Sequence, residues 1–385
     1  MKYSGKRIMK AGDALRNFNR ISPDEFRETV DVISYWRQLH EEPVKNALAS
    51  IKSVVDKLDR DALFARRMKR IPSIYSKLDR YPRMSLYKMN DIGGCRVIVK
   101  DRQVLNSVLR GLRALPEFKI QADGSNKIND YIQNPKEDGY RSVHIIGKFD
   151  DENGEKRFVE VQLRTPIQHS WATAVEIVDL FTKQSLKTNQ GSPEWASLFY
   201  MLGRHFTVMD RIKGFVDFQP KAQYAFYQKE LKRMYKAENM RDKESEVYQE
   251  FRKTYRCLTK LNVIELFDGF ANSLNIIDRE FEIANYDGYV LITCNVEKAT
   301  TSAKIFADAN TAEKAYIDEE VKYSSDESVV VAMVSTPNLT ELREAYPNYF
   351  ADSSVFLSSV SRIEENFEDM QQAYFLTLGA PTTRK

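Results

Sequence analysis

The amino-acid sequence predicts an α+β fold, with a mixed sheet flanked by helices, on the strength of three observations. Helix-start signals and helical spacing of apolar residues dominate the region before residue 60. A helical segment separates the first two strand-like runs, as in a mixed arrangement of helices and strands. The tight-turn sequence Asp151-Glu-Asn-Gly154 then joins two later strands as an antiparallel hairpin.

The first elements follow from capping and spacing. Ser22-Pro-Asp-Glu25 supplies an N-cap, a proline at the first helical position and the glutamate of a capping box, so a helix begins here and runs to about Leu39. A second helix ends near Leu58, and its apolar face consists of Ala47, Ile51, Val54, Val55 and Leu58. Strands are predicted at 95–99, 118–121, 143–148 and 157–164, and helices at 104–115 and 165–181.

The remaining sequence predicts a connector and a smaller C-terminal α+β module. Residues 229–261 are highly charged and helical in pattern, which suits a connecting helix pair with a solvated face or an RNA contact. Strands are predicted at 289–295, 304–307 and 329–335, and helices at 311–322, 339–346 and 355–367. We therefore divide the chain into 1–228, a connector at 229–270, and a regulatory domain at 271–385.

Composition narrows the class of protein. No apolar run approaches the ~18 residues of a membrane span, and the N-terminus lacks the apolar stretch of a signal peptide, so we expect a cytoplasmic protein with no membrane partner. The three cysteines, Cys95, Cys257 and Cys294, are scattered. Their spacing argues against a disulfide framework and against a structural zinc site.

Charge is distributed unevenly along the chain. Residues 1–260 hold 49 Lys and Arg against 34 Asp and Glu, a net charge of +15, whereas residues 261–385 hold 9 against 21, a net charge of −12. A basic body suits ATP and an RNA partner. The acidic tail can fold back on that body or form an independently solvated domain, and charge alone leaves both interpretations open.

Polar side chains alternate along the last strand of the predicted hairpin. Glu160, Gln162 and Arg164 share one face of this strand, because side chains alternate with period two. A carboxylate, an amide and a guanidinium in one row can serve a metal, a hydroxyl and a phosphate. A basic loop with a glycine and an aromatic residue, within 131–144, precedes the row.

Two earlier segments add charged groups of the same kind. Residues 67–77 offer cations and a hydroxyl around a proline, and residues 91–96 place an acid and a guanidinium before the apolar run 97–99. Taken in order, the four segments resemble the synthetase domain of the RelA/SpoT family, over roughly residues 35–187. The resemblance implies a nucleotidyltransferase-like mixed sheet that transfers pyrophosphate from ATP to a ribose 3′-hydroxyl, with Mg²⁺ as cofactor.

The resemblance also assigns roles to residues of this sequence. Asp91 corresponds to the metal ligand, and Glu160 to the acid at the acceptor hydroxyl, as a second metal ligand or as the group that orients and deprotonates the hydroxyl. Gln162 and Arg164 complete the catalytic set. The donor site would comprise Arg67, Lys69, Ser73, Lys77 and Arg96, and the acceptor site Lys136, Asp138, Tyr140 and His144. Tyr140 would stack on the acceptor base.

The acceptor loop departs from the family pattern at one position. Asp138 stands where the family commonly has Asn, and a carboxylate only accepts hydrogen bonds, whereas an amide also donates them. The departure puts guanine recognition in doubt, although a carboxylate can still accept from the N1–H and the N2 amine of guanine.

Other features indicate a branch of the family. None of the four histidines is followed by Asp, so the His-Asp hydrolase doublet of the long members is not found. Residues 35–43 and 168–176 look like the toxic small-synthetase branch, whose members modify the 3′ CCA end of tRNA. Tyr346 and Tyr349 are similar to the paired tyrosines of the fused toxin-antitoxin members, the CapRel type, which block their own ATP site. This resemblance implies autoinhibition by the C-terminal domain, released by a phage protein.

Two other functions remain open at this stage. The first is a nucleotide alarmone synthetase that uses GDP or GTP, or an adenosine nucleotide, as acceptor and makes (p)ppGpp or its adenosine analogue. The second is a non-catalytic RNA-binding or sensor protein built on a synthetase fold. Retention of both acids and of the donor-site cations argues against the second.

Overall fold

The computed structural model describes residues 2–182, 191–213, 215, 220–235, 245–273, 275–276, 289–295, 298, 300–323, 326, 328–335 and 353–378. Twelve helices are described: α1 Gly5–Arg16, α2 Pro23–Gln38, α3 Glu41–Val55, α4 Ile71–Arg80, α5 Arg102–Ala114, α6 Pro166–Thr182, α7 Pro193–Met209, α8 Pro220–Tyr235, α9 Glu246–Leu261, α10 Val263–Ser273, α11 Ala309–Lys322 and α12 Ser354–Leu378. Nine strands accompany them in the same residues: β1 Leu63–Met68, β2 Gly93–Ile98, β3 Lys127–Asp130, β4 Val143–Asp150, β5 Lys156–Arg164, β6 Asn275–Ile276, β7 Tyr289–Asn295, β8 Thr300–Phe306 and β9 Val329–Ser335.

All the described strands form one mixed sheet. Their order is β3-β4-β5-β2-β1-β9-β7-β8-β6. The pairs β2–β5 and β6–β8 are parallel, and the other neighbouring pairs are antiparallel. The α+β class with a mixed sheet is confirmed.

Helix α3 packs on one face of β1, β2, β4 and β5, α5 packs beside it on β5, and α1, α2 and α4 contribute side chains to the same core. Alternate strand residues point into this core, because successive side chains of a strand lie on opposite faces. The fully buried members include Ile8, Ile33, Ile51, Val55, Ile74, Leu78, Val97, Leu105, Val108, Ile145, Val159, Val161 and Leu163. The opposite face of the same strands is thereby left for polar side chains.

A second core is entirely helical. Helices α6 to α10 and α12 bury a cluster rich in aromatic side chains against one another. Phe356 of α12 contacts Phe199 and Phe206 of α7 and Phe267 of α10, with ring centroids 6.3, 5.8 and 4.9 Å apart. The C-terminal helix is therefore part of the packing around α6 and α7.

The predicted C-terminal α+β module is represented by β7, β8, β9 and α11, which extend the sheet beyond β1. The backbone of β9 pairs with β1 through Arg66↔Ser335 and Arg67↔Val334. Next to this seam, the guanidinium of Arg37 lies 4.3 Å from the ring centroid of Tyr316, and both side chains are buried. The acidic C-terminal part thus contacts the basic body, while the three-domain division stays a prediction.

Most predicted elements of the first half are confirmed. Ser22 and Glu25 form the predicted capping box at the start of α2. The turn at Gly154 has φ +76°, and β4 and β5 pair as the predicted hairpin. The strand predicted at 118–121 is wrong, because Phe118 closes a 3₁₀ turn, Pro116–Phe118, and buries its side chain in the core. The strand lies further on, at β3.

The described helices and strands of the second half also match in kind, with shifted ends. The strand predicted at 304–307 begins earlier, at Thr300. The charged segment 229–261 contains the end of α8 and α9, which bury Tyr227, Leu231 and Phe251 in the helical core. The helix predicted at 339–346 lies outside the described residues. Within the described part, no helix is both long and apolar enough to cross a membrane.

Candidate active site

The open face of the sheet carries the polar row of β5. Val159, Val161 and Leu163 are buried in the core below, so the intervening Glu160, Gln162 and Arg164 point to the other face, as predicted. The parallel neighbour β2 brings Gly94 opposite Glu160 and Arg96 opposite Gln162. A Cβ atom on Gly94 would lie 2.9 Å from the carbonyl oxygen of Glu160, so glycine permits this close strand approach.

Five side chains of this face form a closed ring of polar contacts. Gln162 Nε2 donates to Glu160 Oε1 (2.9 Å), and Arg164 Nη2 donates to Gln162 Oε1 (3.2 Å) and to the hydroxyl of Tyr140 (3.0 Å). That hydroxyl lies 2.8 Å from Nε2 of His144, whose Nδ1 lies 3.4 Å from Glu160 Oε1. The ring of contacts fixes the polar row of β5 relative to Tyr140, which is predicted to stack on the acceptor base.

The contacts within this ring of five side chains shift the pKa values of its members. Burial opposes ionisation of Glu160, but hydrogen bonds from His144 and Gln162 and the charge of His144 outweigh it and hold the pKa of this carboxyl well below its usual range. Burial likewise disfavours charge on Tyr140, but Arg164 and His144 lower the pKa of its phenol. The pKa of His144 is raised, because Tyr140 and Glu160 outweigh its burial. Glu160 is therefore an ionised carboxylate at neutral pH.

Asp91 lies just before β2, between two donor-site lysines. Lys69 Nζ is 3.1 Å from Oδ2 of Asp91, and Lys77 Nζ is 2.8 Å from its Oδ1. Burial disfavours the charged form of Asp91, but these two ammonium groups outweigh it and lower the pKa of the carboxyl. In the free protein the donor cations are neutralised by the predicted metal ligand.

A pocket of about 100 Å³ is lined both by polar residues of β5 and by Asp91 with several of the predicted donor-site cations. It is lined by Arg67, Lys69, Asp91, Gly94, Cys95, Arg96, Glu160 and Gln162. Six of these are predicted site residues, and they come from β1, β2, β5 and the adjoining turns. Ser73 lies on α4 one turn before Lys77, with its side chain partly buried, and does not line this pocket.

The acceptor loop lies at the end of β5 occupied by Arg164. Gly139 has φ +95°, a conformation that suits glycine, and Asp138 Oδ1 accepts a hydrogen bond of 2.8 Å from the backbone N–H of Tyr140. The ammonium of Lys136 lies 4.7 Å from the ring centroid of Tyr140. The four predicted acceptor residues are therefore grouped, with one oxygen of Asp138 used to shape the loop.

Sequence reasoning missed three residues that contact this group. The Tyr131 ring packs edge-on against Tyr140 and His144, with centroids 5.8 and 5.1 Å apart. The Trp171 ring also packs edge-on against Tyr140, with centroids 6.2 Å apart, and Arg164 Nη1 lies 3.5 Å from Nδ1 of His169. Pairing of β3 with β4 would have identified Tyr131, but the strand had been placed too early. Residues on α6 carried no periodic signal for this contact.

The residues present fit a magnesium ion bound together with phosphates. Among the described residues no group of three or more His, Cys, Asp or Glu is arranged as a metal site. Mg²⁺ commonly takes one or two protein carboxylates and completes its shell with phosphates and water. Asp91 and Glu160 line the same pocket, so they would hold the ion with the donor's phosphates.

A larger cavity lies at the C-terminal ends of β2 and β5. It measures about 370 Å³ and is lined by residues such as Asp59, Lys100 and Asp210 but by none of the predicted site residues. The smaller pocket is the better candidate for catalysis, because it combines two carboxylates with three cations. Tyr346 and Tyr349, predicted to be autoinhibitory, lie outside the described residues.

Comparison with known proteins supports the resemblance over the site. Residues 66–178 match the family model described as "Region found in RelA / SpoT proteins". GTP pyrophosphokinase YjbM of Bacillus subtilis is 33% identical over 112 residues, which cover 28% of this chain and 51% of that protein. The bifunctional (p)ppGpp synthase/hydrolase SpoT of Escherichia coli is 29% identical over 150 residues, 38% of this chain and 20% of that protein.

The chain therefore spans only a fifth to about half of the length of these relatives. Among solved structures, small alarmone synthetase 1 from Bacillus subtilis bound to its product pppGpp aligns at 21% identity with a TM-score of 0.38, covering 46% of this chain and 93% of that one. A GTP pyrophosphokinase family protein from Streptococcus pneumoniae aligns at 22% identity with a TM-score of 0.38, covering 50% and 97%.

Proposed function

We propose, from the match of residues 66–178 to the RelA/SpoT region, that this chain is an ATP-dependent pyrophosphokinase that transfers pyrophosphate to a ribose 3′-hydroxyl. The observation that carries the proposal is the convergence of Asp91 and Glu160 with the donor cations in one pocket. Phosphoryl transfer requires positioning and charge neutralisation more than covalent chemistry from the protein. This pocket supplies cations that would neutralise the phosphates and carboxylates that would hold the metal.

The donor site would exchange its ion pairs when ATP binds. Lys69 and Lys77 neutralise Asp91 in the free protein and would turn to the triphosphate once Asp91 binds the metal with Glu160. Arg67 presents a planar guanidinium that can stack on adenine. When bound, Mg²⁺ would neutralise charge that develops on the phosphate oxygens.

The closed ring of polar contacts that includes Glu160 would position the ribose 3′-hydroxyl of the acceptor. Glu160 is ionised, so it can accept a hydrogen bond from the ribose 3′-hydroxyl. Gln162 and Arg164 hold that carboxylate and the Tyr140 hydroxyl in fixed relation. The ribose 3′-hydroxyl of the acceptor is thereby oriented for in-line attack on the β-phosphorus of ATP, with AMP as the leaving group.

Two acceptors are proposed. The first is the 3′ CCA end of tRNA, supported by the likeness of residues 35–43 and 168–176 to the toxic small-synthetase branch. Its modification would block translation in anti-phage defence, with a phage protein as the trigger that releases C-terminal autoinhibition. The second is GDP or GTP, giving (p)ppGpp, or an adenosine nucleotide. Guanosine acceptors are favoured by a curated relative named as a GTP pyrophosphokinase. Either role would place the protein in the cytoplasm.

A direct labelling experiment separates the two acceptors. The full-length protein, with Tyr346 and Tyr349 both replaced by Ala to remove the proposed self-inhibition, is incubated with ATP labelled at the γ-phosphate and with tRNA, GDP or GTP. Label that appears on intact tRNA, but not on tRNA whose terminal adenosine was oxidised with periodate before the reaction, supports the first acceptor. Label on GDP or GTP, or on AMP or ADP offered in a parallel reaction, supports the second, and label on none of these acceptors contradicts the proposed function.

A further inference from the structure

Tyr131 and Tyr140 form an open aromatic corner on the acceptor side of the site. Their ring centroids are 5.8 Å apart and their planes meet at 65°, so the two rings are adjoining walls and not a sandwich. Both side chains are partly exposed. Tyr131 also packs edge-on against His144, with ring centroids 5.1 Å apart, and Nδ1 of His144 lies 3.4 Å from Glu160 Oε1. The corner therefore opens beside the carboxylate that would meet the acceptor hydroxyl.

The corner is filled by the protein's own lysine. The ammonium of Lys136 lies 4.8 Å from the centroid of Tyr131 and 4.7 Å from that of Tyr140. Lys136 is exposed and has a long, flexible side chain, so many other positions are open to it. A cation held against two aromatic rings at an exposed site is attracted only weakly, by about 0.5–1 kcal/mol. A ligand with a larger contact area can displace it.

A flat heteroaromatic base suits this corner. Its face can stack on one ring while its edge meets the other, and stacking of a base on an aromatic side chain contributes about 1–3 kcal/mol, more than the lysine contact. The displaced ammonium would remain on the same short loop, next to the bound nucleotide. Phosphate groups on that nucleotide would then give it a stronger partner than the rings did.

We propose that Tyr131 is a second wall of the acceptor-base site, and that Lys136 occupies the site in the free protein and moves to the acceptor's phosphates when the base enters. This inference rests on the proposed function, because it requires a nucleotide acceptor. It assigns opposite effects to one lysine. Lys136 competes with the base of an unphosphorylated nucleoside but assists a nucleotide.

The test compares a nucleoside with its phosphorylated form in the full-length protein, with the donor site saturated by α,β-methylene-ATP. Dissociation constants of guanosine and GDP, and of adenosine and AMP, are measured by NMR titration. In Lys136→Ala, we expect the nucleoside to bind about two- to fivefold more tightly, because the competing cation is gone. The matching nucleotide should bind about tenfold more weakly, because a charge-assisted phosphate contact is lost.

Tyr131 variants test the second wall. Tyr131→Ala should weaken nucleoside and nucleotide by the same factor, about fivefold or more, whereas Tyr131→Phe should bind both as the unchanged protein does. Lys148→Ala is the matched control, because Lys148 lies on β4, four residues beyond His144, and its ammonium lies 4.9 Å from the ring centroid of Phe158 on β5. It should change neither affinity. Unchanged binding of α,β-methylene-ATP confirms that each variant is folded.

The outcomes separate this inference from the proposed function. Weaker binding of the nucleoside as well as the nucleotide in Lys136→Ala would overturn the displacement of Lys136. Unchanged base binding in Tyr131→Ala would overturn the second wall. If the unchanged protein binds none of the four compounds and labels no acceptor, both the inference and the proposed function fail. If it labels an acceptor but binds none of them, only the inference fails.

Discussion

At the level of single residues, Tyr140 combines a hydroxyl and a ring with separate tasks. Its hydroxyl accepts from Arg164 and contacts His144, and its ring faces Tyr131 and the ammonium of Lys136. The hydroxyl therefore belongs to the ring of polar contacts that includes Glu160, whereas the aromatic face belongs to the proposed acceptor site. Substitutions can remove one without the other.

Tyr140→Phe and Tyr140→Ala should consequently differ in kind. The Phe variant keeps the ring, so we expect acceptor affinity to change little while the turnover rate falls, because Arg164 and His144 lose their shared partner. The Ala variant should lose about 1–3 kcal/mol of acceptor binding, with ATP binding nearly intact. Calorimetry for both ligands and steady-state rates provide the comparison. Equal loss of ATP and acceptor binding in the Ala variant would indicate a folding defect instead.

His205 makes folding stability depend on pH. It is buried, with Nδ1 2.7 Å from the Tyr227 hydroxyl and Nε2 3.2 Å from Thr254 Oγ1, and burial lowers its pKa to about 3. The unfolded chain, with a histidine pKa of about 6.5, binds the proton more readily. Stability should therefore fall as pH drops from about 6.5 towards 3, by about 2 kcal/mol between pH 7 and pH 5 for this residue.

Urea unfolding of the full-length protein and of His205→Asn at these two pH values measures that contribution. The variant is expected to be less stable at pH 7, because its side chain fits the site less well. Between pH 7 and pH 5 its free energy of unfolding should fall by about 2 kcal/mol less than that of the unchanged protein, since asparagine takes up no proton at position 205. An identical loss in both proteins would show that His205 is not the group that titrates.

Between elements, the acceptor loop is held against α7 at a position without a side chain. A Cβ atom on Gly203 would lie 2.8 Å from Nη1 of Arg141 and 2.9 Å from the carbonyl oxygen of Gly139. Arg141 Nη1 in turn donates to that same carbonyl oxygen at 2.7 Å. The loop that carries Tyr140 is thus positioned by contact with α7.

Gly203→Ala should disturb acceptor binding while sparing ATP. Alanine favours a helix over glycine by about 1 kcal/mol, so α7 itself should not be weakened, but the new methyl group must push the loop outward. Gly269→Ala is the matched control, because it also lies in a helix and a Cβ atom there meets nothing within 4 Å. We expect the Michaelis constant for the acceptor to rise only in Gly203→Ala. An unchanged value would mean that the loop adjusts freely.

The same scale shows what sequence patterns could predict. Capping at Ser22 and the turn at Gly154 were predicted because their signals are local and depend on a few neighbouring residues. Strand β1 was missed because Arg66 and Arg67 interrupt its apolar positions, and β3 because it is a short edge strand with one partly buried apolar residue, Ile128. Whether these two segments form strands depends on packing against elements that are distant in the sequence, which local patterns do not show.

Part of the candidate site was also predictable from the sequence, because its signal is local. Glu160, Gln162 and Arg164 share a face by the period of a strand, which the sequence shows directly. The ion pairs of Asp91 with Lys69 and Lys77, and the contact of Tyr131 with Tyr140, join separate segments. Such contacts depend on how strands pair, and that pairing was known only where a turn specified it.

Across the whole molecule, the acidic C-terminal part is attached to the donor side of the body. Strand β9 pairs with the residues of β1 that include Arg67, and Glu320 of α11 is partly buried and interacts electrostatically with Arg37 and Arg70. Helix α12 is packed in the helical core through Phe356. Truncation at residue 260 would therefore expose a core surface, so point substitutions are the better probes of regulation.

The proposed self-inhibition is tested by replacing Tyr346 and Tyr349 together with Ala. A tethered segment has a high effective concentration near its target, so even a weak contact with the adenine site near Arg67 can keep that site closed. We expect the double variant to be toxic to a producing cell, and growth to return when Asp91→Asn is added. A harmless double variant, together with full activity of the unchanged protein, would contradict self-inhibition and favour the alarmone synthetase.

Pyrophosphate transfer by the full-length Tyr346→Ala/Tyr349→Ala protein, with and without Asp91→Asn or Glu160→Gln, tests the central claim most directly. Each substitution keeps the side-chain shape and removes one of the two charges that would hold the metal, so transfer from γ-labelled ATP to the acceptor should fall by about two to three orders of magnitude. Asp150→Asn and Glu152→Gln, outside the pocket, are the matched controls and should remain fully active. Undiminished transfer by either site variant, in a protein that unfolds at the usual temperature, would contradict the account.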